Sequence, residues 1–212
     1  MPQITAFTPV ARKQDRYVLE VDGEKFATVS LDLIERFGLH VGDPLLESAA
    51  PELLDSAAAL ATFDRAVNML SFRGRSARDL EKRLVQKGEE RKHAEAAVEK
   101  LRSLGLIDDS AFARARARVK LTSGKGKRRV EADLRLQGVE KETAHEAVGQ
   151  VIEESSIEMQ EQANATALKK VRSLAKLEPA VRQRRLYAFL ARRGYGMDEI
   201  KKAIAVALAS LR

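Results

Sequence analysis

Cysteine and tryptophan are missing from this chain, and aromatic residues of all kinds make up only 5% of it. Without cysteine there are no disulfides, no thiolate nucleophile and no cysteine metal site. Histidine is scarce as well: His40, His93 and His145 are scattered without ligand spacing and read as surface residues. No apolar run is long enough to cross a bilayer, and the start lacks a signal-peptide pattern. The expectation is a soluble, cytoplasmic, membrane-free protein that needs no cofactor. No Ser/His/Asp set or paired-carboxylate constellation stands out, so catalysis has no support.

What is present is helical material. The 212 residues are 44% hydrophobic, with Ala and Leu dominant, a composition that suits small helical modules better than a sheet-rich enzyme. The central stretch runs from Gly105 to Gly138 and reads as helix, basic glycine loop, helix. Asp108 and Asp109 precede an expected apolar spine of Phe112, Ala115 and Val119; as adjacent carboxylates at a helix start they are caps rather than a metal pair. Ser123-Gly124-Lys125-Gly126 breaks the helix, and a second one opens at Lys127. This glycine loop is no nucleotide site, because a helix precedes it and no Ser or Thr follows its lysine.

The second helix of that stretch occurs three times. Leu80, Leu84 and Gly88 match Val130, Leu134 and Gly138, which match Leu186, Leu190 and Gly194. Six, ten and thirteen positions beyond each glycine come Ala94, Val98 and Leu101, then Ala144, Val148 and Val151, then Ile200, Ile204 and Ala207. Steps of three and four residues place each set on one helical face. The interval from Gly88 to Gly138 is close to that from Gly138 to Gly194, the second being slightly wider, which predicts three divergent three-helix repeats.

The amino-terminal residues differ. Arg16–Val21, Asp22-Gly23 and Glu24–Val29 predict a β-hairpin, with Tyr17, Leu19 and Val21 on one face; Phe26 and Thr28 can oppose them, although Ala27 and Val29 leave the facing of the second strand ambiguous. Ser30 is placed to cap a short helix ending at Gly38. From Glu52 to Phe72 a long helix is expected to bury Leu60, Phe63, Val67 and Leu70. The fold class is therefore mainly α: tandem helix-turn-helix-like repeats with a small amino-terminal β-hairpin module. The expected divisions are 1–50 for that module, then 51–107, 108–152 and 153–212 for the repeats.

Charge is divided unevenly. Residues 1–60 hold 5 Lys/Arg against 10 Asp/Glu, a net of −5, and the remainder holds 33 against 21, a net of +12. A basic surface confined to the repeats suggests an anionic partner. The candidate contacts are Arg73, Arg75, Arg78 and Lys82 around the first second helix; Lys125, Lys127, Arg128, Arg129 and Arg135 in the second repeat; and Arg184, Arg185, Arg192 and Arg193 in the third. Arginine grips carboxylate or phosphate bidentately. The plainer reading makes many of these i,i+4 partners of Asp79, Glu81 or Asp133, each pair worth little. Phe63, Phe72, Phe112, Tyr187, Phe189 and Tyr195 fall in helices or turns and are mostly core candidates; base stacking on single strands requires exposed aromatics among basic residues, and only Tyr195, beside Arg192 and Arg193, fits that loosely.

The segments NMLSFRGRSARDLEKRLVQKG, GLIDDSAFARA and SGKGKRRVEADLRLQGV together resemble the RecX family of bacterial regulatory proteins. RYVLEVDGEKFATVS and IERFGLHVGDPL resemble an extension found in some members. The likeness covers most of the chain and is clearest in the first two repeats. It implies tandem three-helix repeats and a modulator, usually an inhibitor, of the RecA recombinase that acts on RecA–DNA filaments. The alternative is a basic helical-repeat protein that binds single- or double-stranded DNA directly without RecA. A monomer is expected, since no long apolar heptad run is present.

Overall fold

The computed structural model describes residues 1–211. An antiparallel sheet of β1 (Ile4–Pro9), β2 (Tyr17–Val21) and β3 (Glu24–Val29), in that order, is followed by the short helix α1 (Leu31–Arg36). Nine further helices complete the described residues: α2 (Ala50–Phe72), α3 (Ala77–Gln86), α4 (Arg91–Ser103), α5 (Asp109–Thr122), α6 (Lys127–Leu136), α7 (Lys141–Glu154), α8 (Met159–Arg172), α9 (Pro179–Arg193) and α10 (Met197–Ala209). The chain divides into two compact bodies. One comprises Met1–Gly74 and Leu80–Ile107; the other comprises Arg75–Asp79 and the chain from Asp108 onward.

In the first body, Asp22 and Gly23 both adopt positive φ (51° and 81°), the two-residue turn that matches strand twist. Just past that turn the β2–β3 register slips, so that Glu20 faces Lys25 but Leu19 faces Ala27. This bulge at Phe26 sets the facing of β3, which the sequence leaves ambiguous. Ala27 and Val29 are buried, while Phe26 and Thr28 are only half-buried. The hairpin also gains β1, which ends at Pro9, a residue suited to an edge strand. Ser30 caps α1 as expected, accepting from the Leu33 amide at 3.3 Å. The sheet's core continues through Leu33, Leu39 and Leu45 into Leu53 and Ala57 of α2, supplying apolar cover that a small sheet lacks alone.

Two helices bury a different stripe from the one expected. In α2 the buried positions are Leu53, Ala57, Thr62 and Ala66; Leu60, Phe63 and Leu70 are half-buried and Val67 is exposed. In α5 they are Ala113, Ala117 and Leu121, with Ala115 and Val119 exposed. Small side chains let these helices approach their neighbours closely, and the bulkier residues flank the contact. The first helix of the third repeat, expected over residues 163–177, runs instead over Met159–Arg172.

The second and third helices of the repeats follow the sequence pattern closely. All six apolar residues before the repeat glycines are fully buried, and the nine beyond them are at most 6% exposed. Gly88, Gly138 and Gly194 have φ of 92°, 85° and 88°, the left-handed conformation that ends a helix and favours glycine. Separate cores form in the second and third repeats, around Val130 and Leu134 in one and Leu186 and Leu190 in the other.

Candidate partner-binding surface

The repeat glycines also join successive repeats. The Gly126 amide at the start of α6 donates to the Arg193 carbonyl at 2.7 Å, and the Arg128 amide donates to the Gly194 carbonyl at 3.2 Å. The turn after α9 therefore lies against the first turn of α6. A Cβ on Gly194 would overlap the Arg129 backbone, with Arg129 Cα only 2.8 Å away. Tyr195 seals the join: its hydroxyl donates to the Gly124 carbonyl at 3.0 Å, and Arg193 Nη1 donates to the same oxygen at 3.2 Å.

An equivalent junction lies one repeat earlier. The turn after α6 meets the start of α3, where the Ser76 hydroxyl donates to the Gln137 carbonyl. Asp109 accepts from the Ala77 amide at 2.9 Å, so it caps α3, while Asp108 caps its own helix through the Ala111 amide at 2.9 Å. A Cβ on Gly138 would come within 2.8 Å of the Ser76 hydroxyl. Each junction thus sets the basic end of one second helix beside the basic start of the preceding one. Arg78 lies against Gly138 in the turn that follows Arg135, and the backbone of Arg128 and Arg129 lies against Gly194, just after Arg192 and Arg193.

The cations at these junctions differ in availability. Asp133, only 7% exposed, takes three of them: Lys120 at 2.6 Å, Arg129 at 2.9 Å and Lys125 at 3.1 Å. Burial alone would raise its pKa, but hydrogen bonds and charge from Lys120 and Lys125 outweigh it and hold the carboxyl below the usual carboxylate value. Arg75 pairs with Asp79 at 2.8 Å, and Arg193 stacks on Phe189 at 4.9 Å. Arg73, Arg78, Lys82, Arg128, Arg135, Arg184, Arg185 and Arg192 are exposed, Lys127 is half-buried, and none forms an ion pair among the described residues. Arg73 and Lys82 belong to the first body, and Arg184 and Arg185 lie on α9 ahead of its terminal turn.

Comparison with known proteins adds the family. Three models match in tandem: the first three-helix domain of RecX over residues 63–101, the second over 108–148 and the third over 157–204. A regulatory protein RecX from Pelodictyon phaeoclathratiforme is 32% identical over 144 residues, covering 66% of this chain and 84% of that protein. The chain belongs to the RecX family. The regulatory protein RecX of Bacillus licheniformis is 28% identical over 206 residues, 96% of this chain and 77% of its own length. A crystal structure of regulatory protein RecX superposes with a TM-score of 0.78 at 23% identity, covering 95% of this chain and 98% of that one. RecX from Lactobacillus salivarius gives a TM-score of 0.62 at 21% identity, over 73% and 99%.

Within this RecX fold, three readings of the sequence need correction. Tyr195 is buried in the core as expected, at 2% exposure, and its hydroxyl is spent on the inter-repeat join, so its loose fit to a stacking role fails; burial foremost raises its pKa. Phe72, a core candidate, is instead 83% exposed, and Tyr187 is exposed as well. His93 is buried, with Nε2 3.1 Å from Asp55 Oδ1. Asp55, Glu90 and His93 bring possible metal-ligand atoms within 4.8 Å of one another. A cation already sits there, because the Lys92 ammonium pairs with Asp55 and lies 3.5 Å from Glu90. A buried histidine on α4 and a carboxylate on α2 leave no local signal in sequence. Among the described residues no helix is long and apolar enough to cross a membrane.

Proposed function

We propose that this chain binds RecA and RecA–DNA filaments and inhibits the ATPase, recombinase and coprotease activities of RecA, in the cytoplasm and within the control of DNA repair and the SOS response. Relatives named regulatory protein RecX motivate the assignment. The observation that carries it is the repeated junction, where the starts and ends of basic second helices meet and leave Arg78, Arg128, Arg135 and Arg192 exposed with no ion pair among the described residues. Guanidinium groups that recur from one repeat to the next suit a polymer of identical subunits or its nucleic acid. Each contact is weak, and their sum gains from being linked in one chain. The protein acts as a monomer, without cofactor.

The test is RecA ATPase on single-stranded DNA, titrated with this protein, with binding to bare DNA measured in the same salt. Inhibition well below the concentration that saturates bare DNA supports action on the filament. Inhibition only where the DNA is itself coated makes the chain a competitor for DNA, and its salt dependence will then be steep. No inhibition at all removes the proposal.

A further inference from the structure

The first body carries a groove that the basic second helices do not account for. It has a volume of about 1110 Å³ and lies between the loop joining β1 to β2 and the carboxy-terminal half of α2. The loop is tied down at both levels. The Val10 amide donates to the Arg16 carbonyl at 2.8 Å, closing the loop. Arg16, with its side chain 14% exposed, grips Asp64 of α2 through Nη2 at 2.7 Å and Nε at 3.1 Å. Lys13 adds a bond to the same carboxylate at 3.0 Å. The wall is therefore fixed to the helix it faces.

Its lining is strongly one-signed. Arg12, Lys13, Arg16, Arg65 and Lys87 face a single lining carboxylate, Asp64. Glu89, outside the lining, pairs with Arg65 at 2.8 Å. Arg12 and Lys87 have no ion pair among the described residues. At the rim stands Phe72, 83% exposed, where a core residue of that size would be covered. Exposed aromatic surface set among unneutralised cations is the arrangement that holds single strands: phosphates lie on the cations and an unpaired base stacks on the ring. A duplex offers no free base face to such a ring.

We propose that this groove binds single-stranded nucleic acid without sequence preference, with phosphates on the Arg12 and Lys87 walls and one base stacked on Phe72. The test is fluorescence anisotropy of labelled oligo(dT) with the full chain, in the absence of RecA, so that its result is independent of filament inhibition. Phe72→Ala is expected to weaken oligo(dT) binding about tenfold. Phe72→Tyr is expected to retain it, and affinity for the corresponding duplex is expected to be unchanged in both. Arg12→Glu combined with Lys87→Glu is expected to lower the salt slope by about 1.4, for two lost phosphate contacts. Phe72 is exposed, so these variants keep the fold, which a thermal melt checks. Failure of the wild type to bind oligo(dT) at low salt overturns the proposal. So does equal affinity in wild type and Phe72→Ala, or poly-glutamate displacing the strand equally well from both.

Discussion

Replacing each repeat glycine by alanine separates backbone strain from steric exclusion. Gly88 has φ of 92° and open space where a Cβ would point, so Gly88→Ala carries only left-handed strain, about 1 kcal/mol. Gly126 has φ of −75° and no strain, yet its Cβ would meet the Tyr195 amide nitrogen at 2.5 Å. Gly126→Ala should therefore cost about 1–3 kcal/mol through overpacking alone. Gly194 combines both, with φ of 88° and a Cβ driven into the Arg129 backbone, for a loss of roughly 2–5 kcal/mol. Gly138→Ala falls between, at about 2 kcal/mol, because the obstructing Ser76 hydroxyl is a side chain able to give slightly. Urea unfolding followed by far-ultraviolet circular dichroism measures the order, and hydrogen exchange in α6 and α9 locates it. If Gly194→Ala costs no more than Gly88→Ala, or Gly126→Ala is neutral, the backbone contact is not what excludes a side chain.

Asp133→Asn should lose about 2 kcal/mol by weakening its three charged hydrogen bonds, read by urea unfolding. Because the Asp133 pKa is lower folded than unfolded, its contribution is present above the ordinary value of 3.8 and fades as pH falls from there through the folded pKa; acid melts of Asp133→Asn should lack that component. Tyr195→Phe removes the hydroxyl bound to Gly124 and should cost about 1 kcal/mol in a thermal melt. Arg128→Glu with Arg192→Glu touches no ion pair among the described residues and should shift stability by less than about 0.5 kcal/mol. The same pair should raise the concentration needed for half-inhibition of RecA ATPase by about fivefold or more, and an unchanged titration would exclude that junction as the contact.

The sequence was most legible where periodicity and a conformational requirement coincided. Leu80 and Leu84, with their counterparts, recur at a four-residue step and end on a glycine whose positive φ few other residues tolerate, so both core and helix end could be read directly. Stripes of alanine were harder: in α5, Phe112 and Val119 are more hydrophobic than Ala113 and Ala117, but closeness of approach decided which face was buried. The facing of β3, ambiguous in sequence between Phe26 with Thr28 and Ala27 with Val29, is set by one bulge at Phe26. The candidate surface was legible as charge and not as geometry. Nothing local to Arg128 or Arg192 indicates that they share a junction, and nothing local to Lys120 indicates that Asp133, on the following helix, will neutralise it.

The join between the second and third repeats is made mainly of atoms that every residue possesses. Two main-chain amides and two main-chain carbonyls set its spacing, and the glycines contribute by having nothing to interpose. Such a join places few demands on the surrounding letters of the sequence. Lineages could therefore rewrite most side chains on either side while the spacing between modules stayed the same. A fold shared at 23% identity with a TM-score of 0.78 is the outcome that this freedom allows.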